Sequence, residues 1–159
     1  MTLIDTSALT FCFAHYTIIQ IGFLRGTVIL IDKVALLHLQ DGKILSSRSK
    51  GKDTWYLPGG KREGSESDVE TLIREIQEEL SVSVDLETAV YYGTFEAQAH
   101  GKAEGITVRM TCYTAGFSGT PFPSHEIEEL KWLTYQDKDV VSPVDKLIFD
   151  DLHMKGYLR

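Results

Sequence analysis

GKREGSESDVETLIREIQEELSV, residues 60–82, decides how this chain is read. Ser67 with Glu70 three residues later forms a capping box, and Val69, Leu72, Ile73, Ile76 and Leu80 recur at helical spacing. The stretch predicts a helix from about Asp68 to Leu80. At roughly 100° per residue, Glu75, Glu78 and Glu79 share an arc of about 100° that is not the core-facing one. Like charges at i, i+3 and i+4 repel, and a bound divalent cation would remove the conflict. Hard oxygen ligands suit Mg²⁺, with Mn²⁺ as the alternative. An acidic helix face is ordinarily just solvated. What sets this one apart is Pro58-Gly59-Gly60-Lys61-Arg62 immediately upstream, where glycines admit a close backbone approach and Lys61 and Arg62 supply cations for phosphate.

Working outward, the apolar run Val34 to Leu39, then Asp41-Gly42, then Lys43-Ile44-Leu45 predicts a β-hairpin. Trp55 to Gly60 reads as a strand end entering the glycine loop. Beyond the helix, Val82 to Leu86 and Ala89 to Phe95 read as two strand-like segments. Ile106, Val108, Met110 and Cys112 alternate with polar neighbours, the period of a half-buried strand, and Ala97 to Gly105 is the loop before it. Pro121 and Pro123 precede a last short strand near Leu130 to Leu133. Ser142-Pro143 opens a final helix with Val144, Leu147, Ile148 and Leu152 on one face and Gly156 as its stop.

The chain has 159 residues with 43% hydrophobic and 25% charged, which suits one globular domain with a core. Sixteen Lys and Arg against 23 Asp and Glu give a net charge of −7, which argues against a nucleic acid polymer as partner. Cys12 and Cys112 have no CxxC spacing, and the five histidines lack metal-ligand spacing, so a disulfide scaffold, a zinc site or a cysteine nucleophile has little support. A reducing cytoplasm is the expected location. Phe11 to Leu24 is largely apolar, but His15 and Gln20 interrupt it and no basic residue precedes it. It reads as a sheet-forming N-terminal extension and not as a signal or membrane segment. Residues 1–25 are therefore expected to be an extension of the same domain, with 26–159 forming the domain proper.

The stretch resembles the box of the Nudix hydrolases, G-x5-E-x7-R-E-U-x-E-E-x-G-U with U aliphatic. Gly60, Glu66, Arg74, Glu75, Ile76, Glu78, Glu79 and Val82 fill its specified positions, and Ser81 stands where the family has glycine. The match covers 23 of 159 residues. The resemblance implies an α/β/α sandwich around a mixed central β-sheet (α/β or, more loosely, α+β). It implies Glu75, Glu78 and Glu79 as metal-binding carboxylates, one of them doubling as the base that activates water. It implies Arg74 as a structural arginine orienting a box glutamate, the Gly60 carbonyl as a further metal ligand, and Glu66 in service of the loop. A late-loop acid is expected to complete such a site, with Glu126 first and Glu128 or Glu129 as substitutes.

The activity implied is Mg²⁺-dependent attack of water on a diphosphate linkage of a small-molecule nucleotide. No proline occurs between Val82 and Pro121, which counts against ADP-ribose hydrolases, and Gln98, Ala99 and His100 stand where diadenosine polyphosphate hydrolases often carry tyrosine. A MutT-like action on nucleoside triphosphates is the default that remains. MutT reads its base with an asparagine, of which this chain has none, leaving Asp137, Asp139 or Asp145 for that role. Trp55, Tyr56, Phe95 and Phe117 read as core aromatics. A nucleotide-binding sensor of the same fold, a sugar-nucleotide or isoprenoid diphosphate hydrolase, and a homodimer all stay open.

Overall fold

The computed structural model describes residues 29–159 together with the backbone of Thr17–Ile18. The expected N-terminal extension therefore lies outside the described residues, apart from the two-residue strand β1, Thr17–Ile18, which pairs antiparallel with Ile29 and Leu30.

Strand β2, Ile29–Leu36, is central to the larger sheet. Its period of two sends Ile31 and Ala35 into one buried cluster and Val34 and Leu36 into another, so each face of the strand feeds a separate core. The chain then leaves this sheet and enters a smaller one. There β3, Leu39–Gln40, and β4, Lys43–Ser49, form the expected hairpin. Asp41 and Gly42 turn it with φ of 52° and 77°, the double left-handed geometry that an Asp-Gly pair favours. Strand β5, Gly59–Lys61, returns to pair antiparallel with β2.

Helix α1 runs Asp68–Leu80, as its periodicity predicts, with both halves of the Ser67/Glu70 capping box formed. Leu72, Ile76 and Leu80 pack on Val34, Leu36 and Val82. Two strand-like segments were expected after it. They are a single strand, β6, Ser83–Gln98, whose pairing slips between Asp85 and Val90 and again between Tyr91 and Gly93. Those bulges break the apolar alternation, which is why it reads as two pieces. Strand β7, Ile106–Ser118, runs antiparallel to β6 and parallel to β2. Strand β8, Ile127–Leu133, begins three residues earlier than expected and pairs with β4.

A 3₁₀ helix, Tyr135–Val140, was not anticipated, because it is polar and buries none of its residues. Helix α2, Pro143–Met154, starts on the expected Ser142 cap and carries Val144, Ile148, Phe149 and Leu152 into the core cluster of Ile31, Ala35, Val108 and Met110. The larger sheet thus lies between α1 and α2, with one parallel pair among antiparallel ones. This is the expected α/β/α sandwich with a mixed sheet. Among the described residues no helix is long and apolar enough to cross a membrane.

Candidate functional site

The site begins at the two glycines. Gly59 has φ of 137°, and a Cβ there would run into the Val34 carbonyl of the paired strand. A Cβ on Gly60 would run into the Glu75 carboxylate. Gly59 lets β5 lie against β2, and Gly60 leaves room for the Glu75 carboxylate, a contact that brings the acidic face of α1 to the sheet.

Arg74 organises the loop between them. Its Nε and Nη2 donate to the two Glu66 oxygens at 2.8 and 2.9 Å, Nη2 also donates to the Lys61 carbonyl at 2.9 Å, and Nη1 donates to Glu75 at 2.9 Å. Glu66 further accepts from the Glu63 amide and the Thr71 hydroxyl. The Arg74 guanidinium, then these donors, hold its carboxyl down at about 2. Glu66 is thus a permanently charged anchor, and the geometry has Arg74 gripping both the loop and Glu75.

The three box carboxylates differ in setting. Glu79 borders the apolar stripe and is only 7% exposed, with Oε2 accepting from the Gly59 N–H at 2.9 Å. Burial pushes its carboxyl up to about 8 against that hydrogen bond, and the charges of Glu75 and Glu126 push the same way. Burial also raises Glu75, opposed by Arg74. Glu78 lies on the far side of the arc, 42% exposed, with one oxygen 3.6 Å from Arg74 Nη1.

Glu126 reaches the site because its loop caps α1. The amides of Phe122 and Ser124 donate to the carbonyls of Leu80 and Glu79, using acceptors that a helix end leaves unpaired. Lys50 then holds the loop from the other side, its Nζ donating to the His125 carbonyl at 2.7 Å and its amide to the Glu126 carbonyl at 2.9 Å. Arg48 forks onto Glu128 and Glu129, each at 2.8 Å, which turns both acids away from this task.

These groups surround a cavity of about 470 Å³. Its carboxylate end, where Gly59 and Gly60 meet α1, carries Glu75 and Glu79, and Glu126, Lys33, Lys61 and Arg62 also line the cavity. Along β2 and β7 the floor is apolar at Ile31, Val108 and Met110, with Leu57 and Val144 also in the lining, while Lys52, Gln98, His100 and Lys102 add polar wall. Arg62 lines it while pairing with Asp32 at 2.7 Å and with Asp68, so its charge is already shared. Glu78 is not among the lining residues.

Of the lining residues not read from sequence as site residues, three stand out. Tyr56, expected in the core, is half-buried on the cavity wall with its hydroxyl 3.0 Å from His100 Nδ1, and His100 lines the cavity too. Lys33 was detectable in principle, since the alternation of β2 places it in phase with the core residues Ile31 and Ala35. The aspartates separate clearly. Asp137 caps the 3₁₀ helix through Thr134, Asp139 is fully exposed, and Asp145 is fully buried beside the lining residue Val144. Of the aromatics, Trp55 lies in the core, and Phe95 and Phe117 pack against it.

The donor set fits a hard divalent cation, because carboxylates set close together, with Glu79 raised by burial and further by the charges of Glu75 and Glu126, are what such a charge relieves. Among the described residues no three acidic, histidine or cysteine side chains are already gathered tightly enough to hold an ion, since Glu75 and Glu78 lean on Arg74.

The NUDIX domain family model matches residues 29–151. The CTP pyrophosphohydrolase of Escherichia coli (strain K12) is 28% identical over 113 residues, covering 68% of this chain and 78% of that protein. The solution structure of the E. coli ORF135 protein superposes with a TM-score of 0.63 at 26% identity, covering 79% of this chain and 89% of that one. The MutT NUDIX hydrolase of Burkholderia pseudomallei shares the fold, with a TM-score of 0.61 at 24% identity over 76% of this chain and 96% of that one. The box spacing, the arginine-anchored loop and the family match over most of the chain agree, and the chain belongs to the Nudix hydrolase family.

Proposed function

We propose that this chain is a Mg²⁺-dependent pyrophosphohydrolase of nucleoside triphosphates, acting through residues 26–159 with 1–25 as an extension of the same domain. The observation that carries the reading is the lining of the cavity, with carboxylates gathered at the glycine contact, several cations in the wall and apolar Ile31, Val108 and Met110 on the floor. A substrate with a polyphosphate tail and a planar organic head matches that division. The named activity of the E. coli relative makes CTP the first substrate to test.

Glu75, Glu78, Glu79 and Glu126, with the Gly60 carbonyl, would hold the cation, which when bound supplies charge neutralisation and a more acidic water. Lys61 and Arg62 bind substrate phosphate at the same end. A carboxylate of this set accepts the proton of the water that attacks phosphorus. The anhydride P–O bond breaks, and the leaving phosphate oxygen keeps the electron pair. Arg74 holds Glu75 in register and Glu66 holds Arg74. Tyr56 and His100, which line the same cavity, stack on the base, while Asp145 is fully buried and lines no part of it.

The test is release of pyrophosphate and nucleoside monophosphate from CTP, other nucleoside triphosphates and oxidised guanine nucleotides, with Mg²⁺ and with chelator. Turnover that vanishes with chelator and falls about 10²-fold or more in Glu79→Gln is expected. Nucleotide binding without turnover in the wild-type chain would instead make it a sensor of the same fold.

A further inference from the structure

Lys33 is out of keeping with its position. It lies on the face of β2 whose neighbours, Ile31 and Ala35, belong to the hydrophobic core, yet it carries an ammonium into the cavity wall. The strand registers place it directly opposite Lys61 of β5 on one side and Met110 of β7 on the other. Two lysines directly across an antiparallel pair repel, and both line the same cavity. Among the described residues no carboxylate forms a salt bridge with Lys33. A cross-strand pair of like charges lining an open cavity is a built receptor for an anion.

Its place along the cavity narrows which anion. Along β2, Lys33 stands between Ile31, which faces Val108 on the apolar floor, and Ala35, which faces Gly59, whose amide donates to Glu79 at the carboxylate end. Lys33 therefore lies at the boundary between the two parts, with apolar Met110 beside it on the floor. A group bound there is the one that joins the polyphosphate tail to the organic head.

We infer that Lys33 is a substrate-binding residue that holds the phosphoryl group attached to the nucleoside, the one retained in the monophosphate product, while the leaving pyrophosphate sits farther into the carboxylate end. The inference rests on the nucleotide reading proposed above. It makes Lys33 the residue that sets where along the tail the substrate is gripped, and so which anhydride is presented for cleavage.

The experiment compares binding of cytidine monophosphate and of inorganic pyrophosphate, each with Mg²⁺, by titration calorimetry. Lys33→Gln and Lys33→Met are expected to weaken the monophosphate about tenfold or more and to leave pyrophosphate within about twofold, a selectivity that general loosening would not produce. Lys33→Arg should recover most of the monophosphate affinity. In the wild-type chain the Lys33 ammonium resonance should shift on adding monophosphate and not on adding pyrophosphate, a measurement independent of how the variants fold. Equal weakening of both ligands, or unchanged monophosphate binding in both neutral variants, overturns the assignment while wild-type turnover of nucleotide leaves the proposed function standing. Absence of both nucleotide binding and turnover in the wild-type chain overturns the two together.

Discussion

Ser81 closes α1 in the left-handed region, with φ 56° and ψ 32°, and its amide donates to the Gln77 carbonyl. A side chain there costs roughly 1 kcal/mol that glycine avoids, so Ser81→Gly should raise stability by about 0.5–1 kcal/mol in urea unfolding and leave turnover unchanged. The glycine of the box answers a conformational requirement, and serine meets it at a small cost. Asp145 allows a sharper test. It is fully buried, and burial raises its carboxyl to about 7 despite the Ser142 hydroxyl and the Lys33 charge. A folded-state value above the unfolded one means the folded chain holds the proton longer, so stability is fully present below about pH 4 and falls as pH rises to about 7. Asp145→Asn keeps an acceptor for Ser142 but never ionises. It should match wild type in stability near pH 4 and gain on it by pH 8, on the order of 1–3 kcal/mol by chemical denaturation at the two pH values. No pattern in the sequence announces this residue, because its burial comes from packing between α2 and the strands.

Helix α1 was legible because its signals are local. The capping box, the apolar spacing and the acidic arc all lie within one short window and agree. Strand β6 was only half legible, since its bulges are set by pairing with β7, a partner distant in sequence. The difference in burial among the carboxylates was also hidden. Periodicity groups Glu78 with Glu75 and Glu79, while the close approach of β5 selects Glu79 for burial. That approach can be perturbed at Gly60. The obstacle to a Cβ there is the flexible end of Glu75 and not backbone, so Gly60→Ala should fold normally and displace the carboxylate from Arg74. Turnover should fall about 10²-fold with little change in melting temperature, because an ångström of misplacement suffices. A melting temperature lowered by many degrees would show that the glycine serves the fold and not the site.

Across the whole molecule, the site occupies the seam where the larger sheet, the smaller sheet and α1 meet, and each contributes one part that cannot be seen alone. Strand β2 brings Lys33, α1 brings Glu75 and Glu79, and the loop before β8 brings Glu126 by capping α1. Such convergence carries an electrostatic cost in a chain of net charge −7, and the Glu79 carboxyl, raised first by burial and further by the charges of Glu75 and Glu126, is its local sign. A cation that binds only the folded arrangement returns that cost as stability, by about 2.7 kcal/mol at a hundredfold excess over its dissociation constant. At this chain length that is a rise of roughly 5–10 °C in melting temperature. Mg²⁺ should therefore raise the melting temperature of the wild-type chain in a saturable way that chelator reverses, whereas Ca²⁺-free, Mg²⁺-free samples should melt lower at equal ionic strength. Glu79→Gln should start nearer the Mg²⁺-bound wild type, because one crowded charge is gone, and should respond little to added Mg²⁺. A wild-type response that survives unchanged in Glu79→Gln would place the cation elsewhere on the acidic surface and remove the carboxylate end of the cavity from the mechanism.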